Sequence, residues 1–369
     1  MSRGPSSTKR SALRSALRAW AHRRIRRAWQ RRGLLARLLY PLHLLHRLWR
    51  GVRALGYRLG FARPVRLPVP VIVVGNLSVG GTGKTPLVIE IVRGLRARGW
   101  TPGVVSGGYG GRADGALLVD PSTDPALSGD EPLLVRYIAG VPVAVGRDRV
   151  AAARLLLSAH PDCNVLVADD GLQHRRLGRD LEVVIINAGG MGNGWLLPAG
   201  PLRDPPERLR AVDAVVLHGV VPAVRIHSPY FHLHTSIHEA TCMAAPARQM
   251  GLAELAREQQ QRNDRPLRLL ALCAIGTPER FFSLLREFGL EFDAIALPDH
   301  DRIDAAMVPA ARYDRVLVTE KDAVKCHRDP SLGHDERIWV VPLHSQLDDG
   351  LIDFLARRLG EVSLGSATA

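Results

Sequence analysis

Twelve residues, GNLSVGGTGKTP at positions 75–86, carry the strongest chemical signal in the chain. Gly80, Gly81 and Gly83 let backbone N–H groups converge, and convergent N–H groups at a helix N-terminus bind phosphate. Lys84 has the reach for the β- and γ-phosphates of a nucleoside triphosphate, and the Thr85 hydroxyl suits a Mg²⁺ ion. The cradle then comprises Ser78, Val79, Gly80, Gly81, Thr82, Gly83, Lys84 and Thr85. The strict form of such a loop has glycine where this chain has Ser78. A plain tight turn with Lys84 merely exposed is the competing reading, and GGTGKT directly after a strand weighs against it.

Carboxylates come next. The apolar run Val165–Ala168 ends in Asp169 and Asp170, the usual partner of a phosphate loop, where a carboxylate holds Mg²⁺ or its water. Neighbouring strand residues point to opposite faces, so one of the two faces the metal and the other a neighbour. Gln173 and His174 follow in the turn after them. Asp170 alone would also read as a helix cap. The word GDEP at 129–132 precedes an apolar helix. Asp130 reads there either as a cap or as a general base for an acceptor hydroxyl. In Pro298-Asp299-His300-Asp301 a histidine sits between two carboxylates, either of which can raise its basicity. Composition alone explains His300 equally well as a solvated loop residue. Gly107–Gly111 (GGYGG) follows Val104–Ser106 as a second flexible loop and is too weak a pattern to signal a dinucleotide.

The elements that must position these residues are legible around them. Val69–Val74 is a β-branched run that suits a buried parallel strand. Leu87–Arg98 reads as a helix, with Pro86 in its first turn. The 369 residues are enough for two domains, and 46% hydrophobic with 23% charged residues describes a folded globular body. Four dispersed cysteines without a CxxC argue against a zinc site or disulfide framework and fit a reducing compartment.

The formal charge of +14 is concentrated at one end. Residues 1–66 hold 18 Arg/Lys and no carboxylate, the first being Glu90, which leaves 32 basic against 36 acidic residues beyond them. From Leu34 to Leu59, Leu35, Leu38, Leu42, Leu45, Trp49, Val52, Leu55 and Leu59 form one helical stripe. Interspersed arginines leave no uncharged 18-residue span, which argues against a transmembrane helix, and Pro41 should kink or split the helix. A basic amphipathic helix rich in Leu and Trp suits a membrane interface. The stripe could instead pack on the body. Residues 1–33 could be an organelle transit peptide or, with few aromatics, a nucleic-acid arm; they lack a secretory-signal pattern.

Together these words resemble the tetraacyldisaccharide 4′-kinase (lipid A 4′-kinase) family. GNLSVGGTGKTP, GDEP, DDGLQH (169–174), GNGWLLPAGPLR (192–203), IGTPERFF (275–282), PDH (298–300) and TEKDAVKC (319–326) occur in the family's order. The family's loop also lacks the first glycine, which accounts for Ser78. The resemblance implies transfer of the γ-phosphate of ATP, with Mg²⁺ held through Thr85 and the Asp169/Asp170 pair. The implied acceptor is the 4′-hydroxyl of a tetraacyldisaccharide 1-phosphate, giving lipid IVA. It also implies that Asp130 and His300 take the hydroxyl proton beside Lys84. The implied fold is α/β, a P-loop NTPase-type α/β/α sandwich with a second, smaller α/β/α domain and an N-terminal amphipathic helix.

The expected organisation is a basic extension over 1–33, a membrane-interface helix over 34–60, a nucleotide-binding domain over 61–225, a strand-like hinge over 226–245 and a smaller domain over 246–369. Strands are expected near Leu269–Ala274, Ile295–Leu297, Val316–Thr319 and Trp339–Val341. The expected partners are a lipid A disaccharide precursor in the bilayer and the cytoplasmic face of the bacterial inner membrane, with the protein peripheral or monotopic. Neither nucleic acid nor an obligate protein partner is expected. A nucleotide-driven switch or chaperone is the alternative, and a nucleic-acid-binding NTPase a third reading. Two departures from the family stand out. It usually reads SRGYG where this chain has Ser106-Gly107-Gly108-Tyr109-Gly110, which leaves Arg112 as a nearby substitute. Residues 1–33 precede the family's usual start.

Overall fold

The computed structural model describes residues 25, 28–219, 221, 224–262, 265–299, 301–309, 312–327 and 329–367. Fifteen strands are described: β1 (Val71–Gly75), β2 (Pro102–Ser106), β3 (Leu117–Val119), β4 (Val143–Val145), β5 (Val165–Asp169), β6 (Leu181–Asn187), β7 (Ala214–His218), β8 (Tyr230–Ser236), β9 (Glu239–Cys242), β10 (Gln249–Gly251), β11 (Leu269–Cys273), β12 (Asp293–Ala296), β13 (Arg315–Thr319), β14 (Ile338–Val341) and β15 (His344–Leu347). They form two sheets, ordered β15-β8-β7-β6-β1-β5-β2-β4-β3 and β10-β9-β14-β13-β11-β12.

The first sheet is parallel from β8 through β4, and its central strands are buried on both faces. Alternation then sorts each strand between two cores. Ile72 and Val74 join the helices Lys84–Ala97, Asp130–Ala139 and Asp349–Ala367 on one face. Val71 and Val73 join the helix Arg149–Ala159 and the loops around Leu172, Leu196 and Leu202 on the other. The smaller sheet is likewise covered on both faces, by Leu252–Gln261 and Pro278–Glu287 on one and Glu320–Cys326 on the other. Both layers are therefore α/β/α.

The chain crosses between the sheets twice, side by side. β8 belongs to the first sheet and β9 to the second; β14 and β15 return in the opposite direction. β15 pairs antiparallel with β8 and β14 antiparallel with β9, so residues 237–238 and 342–343 lie between two double-stranded stretches. One expectation is corrected here. Residues 344–367 do not belong with the smaller sheet. β15 extends the first sheet, and Asp349–Ala367 packs on Lys84–Ala97, where a Cβ at Gly94 would lie 2.7 Å from Ile352. The driving force is burial of Leu351, Ile352, Leu355 and Leu359 in the first core.

At the N-terminus the helical stretch is split, as Pro41 requires. Leu34–Leu38 ends at Leu39, and Tyr40–Arg58 starts with Pro41 in its first turn. Its stripe faces outward: Leu45 is 61% exposed, Trp49 55% and Val52 61%. The inward face is polar. Leu196 N donates to His43 Nδ1 at 2.8 Å, His46 Nδ1 lies 3.0 Å from Leu197 O, and Arg50 pairs with Asp204. The stripe thus does not pack on the body. No described helix is long and apolar enough to cross a membrane. Of the extension, residues 1–24, 26 and 27 lie outside the described residues. Its end is docked: Trp29 Nε1 donates to Pro198 O at 2.9 Å, and Arg32 stacks over Trp195.

Candidate active site

The parallel sheet brings the chemistry to one rim. β1 and β5 are neighbours with Val74 opposite Asp169, and β2 flanks β5 with Val105 opposite Ala168. The loop leaving β1, the acids ending β5 and Ser106 ending β2 therefore share the carboxyl edge, where ligands bind in open α/β sheets.

Asn76 ties the phosphate loop together. Its Nδ2 donates to Ser78 O at 2.6 Å, and its Oδ1 accepts from Lys84 Nζ at 3.2 Å. Val79 N donates to Pro201 O at 2.9 Å and Ser78 bridges Leu202, so the GNGWLLPAGPLR segment braces the loop from outside. Gly80 has φ +114° and Gly83 φ +93°. At Gly83 a Cβ would also lie 2.3 Å from His218 Nδ1, so only glycine fits. Gly81 O accepts from Asn187 Nδ2 at 3.1 Å. Thr82 is buried, with its carbonyl 2.9 Å from His218 Nδ1. Lys84 opens the helix with Nζ 3.8 Å from Asp170 Oδ1, and Thr85 follows it, half-buried.

The adjacent acids are divided between two tasks. Asp170, at φ +50°, turns its carboxylate to Arg203, whose Nη1 and Nη2 donate at 2.8 and 2.7 Å. Burial opposes its charge, yet Arg203 and Lys84 hold its carboxyl below the usual range. Asp169 is buried and accepts from Ser106 Oγ at 3.4 Å, while its Oδ1 has no partner among the described residues. Burial, reinforced by Glu131 and Asp170, pushes its carboxyl up to about 7. A buried carboxylate oxygen without a donor, among further acids, is short of a cation. Among the described residues no three ligating side chains close on one point. One or two protein oxygens completed by water and phosphate is the pattern of Mg²⁺.

Asp130 is not a cap. Gly129 holds the N-cap position, and Asp130 lies in the first turn with Oδ2 3.3 Å from Lys325 Nζ. Its neighbour Glu131 lies 3.3 Å from Lys321 Nζ, which also reaches Asp299 Oδ1 at 3.1 Å. Lys321 and Lys325 are one turn apart on the helix Glu320–Cys326, so the smaller sheet sets two cations against the GDEP turn. Burial works against the Lys321 charge, but Glu131 and Asp299 overcome it and raise its pKa. His300, next to Asp299, lies outside the described residues. Gln173 reaches the loop, donating to Asn76 O at 3.4 Å and Asp204 Oδ2 at 2.9 Å. His174 is turned inward, its Nδ1 buried without a partner among the described residues. Arg112 is exposed.

Several residues beside the loop are not singled out by sequence alone: Asn76, Arg149, Arg203, His218, Arg280, Lys321 and Lys325. Asn76, Arg203, Arg280 and the two lysines lie inside family words, and the lysines' four-residue spacing on a helix was a usable signal. His218 ends the apolar run of β7. Arg280, from Pro278–Glu287, donates to His218 Nε2 at 2.9 Å and to Thr235 Oγ1. Burial and Arg280 push His218 down to about 4, so the neutral ring donates from Nδ1 to Thr82 O. The smaller sheet thereby touches the phosphate loop, and Thr277 Oγ1 would lie 3.6 Å from a Cβ at Gly81.

Comparison with known proteins identifies the family and the fold. The model of the family described as tetraacyldisaccharide-1-P 4′-kinase matches residues 35–360. A tetraacyldisaccharide 4′-kinase of Herminiimonas arsenicoxydans is 45% identical over 343 residues, covering 90% of this chain and 94% of the relative. That of Janthinobacterium sp. (strain Marseille) is 46% identical over 333 residues, with the same coverage of 90% and 94%. Among solved structures, LpxK from Aquifex aeolicus, crystallised in complex with ATP, superposes with a TM-score of 0.72 at 26% identity. That match covers 88% of this chain and 100% of the other. With the family model spanning nearly the whole chain and relatives this similar along their lengths, the chain belongs to the tetraacyldisaccharide-1-P 4′-kinase family.

Proposed function

We propose that this protein transfers the γ-phosphate of ATP to the 4′-hydroxyl of a tetraacyldisaccharide 1-phosphate held in a membrane. The observation that carries the reading is the rim beside the phosphate loop: Lys84 lies next to Asp170, Asp169 keeps an orphaned oxygen, and Glu131 of the GDEP turn is near enough to Asp169 to raise its carboxyl. Loop N–H groups and Lys84 bind the triphosphate. Asp169 and Thr85 would hold Mg²⁺, which neutralises charge on the phosphate oxygens when bound. Asp170 acts through Arg203 and Lys84, fixing the loop's basic end. Asp130 with His300 takes the 4′-hydroxyl proton. The hydroxyl oxygen then forms its bond to the γ-phosphorus as the bond to the ADP oxygen breaks, leaving ADP and the 4′-phosphorylated glycolipid.

The outward stripe of Tyr40–Arg58 supports a position on the membrane surface. Leu45, Leu48, Trp49 and Val52 are exposed beside arginines, an arrangement suited to the headgroup boundary of an anionic leaflet. We assign the protein to the cytoplasmic face of the bacterial inner membrane, where ATP and the lipid acceptor meet.

Purified full-length protein, given Mg·ATP and the tetraacyldisaccharide 1-phosphate in detergent micelles, should make ADP and phosphorylated glycolipid in equal amounts. Lys84→Ala should lower the rate by about 10³-fold or more. Absence of transfer by the wild-type protein would overturn the reading. Nucleotide turnover that responds to an added protein but not to glycolipid would favour the switch alternative.

A further inference from the structure

Gly107 and Arg149 occupy one space. A Cβ on Gly107 would lie 2.5 Å from Arg149 Nη2 and 2.8 Å from Nη1. Gly107 is not among the glycines with left-handed φ, so the backbone does not call for glycine there. The missing side chain instead makes room for the guanidinium. Arg149 is the first residue of the helix Arg149–Ala159, whose N-terminus is fixed by Asp148 accepting from Val150 N and Ala151 N.

The head of Arg149 points at the acids on the rim. Its Nη2 donates to Asp170 O at 3.4 Å, and it interacts electrostatically with both Asp170 and Asp169. An arginine has five N–H donors. Among the described residues this one makes that single hydrogen bond, and its Nε is buried without a partner. Arg203, alongside, directs both terminal nitrogens to Asp170 and Asn76, and among the described residues only its Nε is left without a partner. A desolvated cation with unused donors, held at the rim of a phosphate loop, is short of an anion. The anion brought to this rim is the end of the triphosphate.

We propose that Arg149 is the catalytic cation that contacts the terminal phosphate of bound ATP, filling the place of the side chain that Gly107 lacks. This rests on the kinase reading above. Arg149 reaches the site from the helix after β4, the strand paired with the β2 that leads into Gly107, and Arg112, the substitute expected from the sequence, stays in solvent. The guanidinium holds charge on the outer phosphate oxygens as the phosphoryl group leaves ADP, so it discriminates ATP from ADP.

The test is made on the full-length protein with Mg·ATP and Mg·ADP, by nucleotide binding and by turnover. Arg149→Ala should bind ADP as the wild type does, lose most of its preference for ATP over ADP, and fall on the order of 10³-fold in kcat. Added guanidinium ion should restore part of that rate. Gly107→Ala, which displaces the guanidinium without removing it, should reduce the ATP preference in the same direction by a smaller factor. The double variant Gly107→Arg/Arg149→Ala should recover at least tenfold over Arg149→Ala alone. If Arg149→Ala fails to fold, Gly107→Ala and Arg149→Lys decide between the outcomes through the same ratio. An unchanged ATP-to-ADP affinity ratio with no guanidinium rescue would overturn the proposal. The binding ratio needs no glycolipid, so failure of the wild type to phosphorylate the acceptor is a separate result that strikes the kinase reading.

Discussion

Two helices of this chain carry an apolar stripe, and the fold treats them in opposite ways. In Lys84–Ala97 the stripe is inside: Leu87, Val88, Ile91, Val92 and Leu95 are fully buried against the first sheet and the C-terminal helix. In Tyr40–Arg58 the stripe is outside, and His43, His46 and Arg50 make the contacts with the body. Periodicity identifies a face of a helix but not what covers it. The second helix can dock by its polar face because the 196–204 segment presents an N–H, a carbonyl and a carboxylate at matching positions. An apolar face left exposed along a whole helix is costly in water and points to a non-aqueous neighbour.

The largest test of that contrast is Ile91→Ala, which removes side-chain volume from the closed core. It should cost about 2–5 kcal/mol of unfolding free energy, read by urea denaturation. Next is the seat of the N-terminal helix. Arg50→Ala leaves the buried Asp204 carboxylate without its cation and should cost about 3 kcal/mol. Faster hydrogen exchange over 40–58 would localise the loss, and unchanged exchange there would show that the helix is held by other contacts.

A third test uses pH. Burial, aided by Arg47, lowers the His43 pKa below its usual value, and the neutral ring accepts from Leu196 N. The folded state then resists a proton that the unfolded chain accepts below about pH 6.5. Stability from this contact is present above that pH and is lost as pH falls through the folded pKa, on the order of 1 kcal/mol for the acceptor bond. Protection factors over 40–58, taken relative to the intrinsic exchange rate at each pH, should fall between about pH 7.5 and 5.5 in the wild type. His43→Gln, which keeps an acceptor and does not titrate, should flatten that response. The smallest effect on stability belongs to the outer stripe. Leu45→Ser with Leu48→Ser should leave the unfolding free energy within about 0.5 kcal/mol while reducing partition onto anionic vesicles by about tenfold. A large stability loss would place the stripe against protein instead.

Much of the site was legible because its chemistry is local. The phosphate loop needs glycines, a lysine and a threonine at fixed spacing after a strand, and the structure has that strand, loop and helix. Asp169 and Asp170 were identifiable as a pair on a strand end. That they divide was legible too, but which of them takes which task was not, because it depends on Arg203, 33 residues further along the chain. Asp130 left two readings open in the sequence. Gly129 at the N-cap and Lys325 beside the carboxylate set aside the cap. The fold class was readable for a similar reason: a run such as Val71–Gly75 states its own burial. The return of residues 344–367 to the first sheet was not readable, since β15 is short and polar and its place is set by its pairing with β8.

The sequence by itself determined the phosphate loop, the amphipathic stripe, the strand-ending acids and, through its ordered words, the family. These rest on spacing along the chain, which the backbone converts directly into geometry. Only the tertiary structure decided which acid keeps an unpartnered oxygen, which face of the N-terminal helix meets the body, and which arginine occupies the space beside Gly107. Each of these depends on side chains brought together from distant positions. Burial and charge at such a meeting point are properties of the packed neighbours and are written in no single segment.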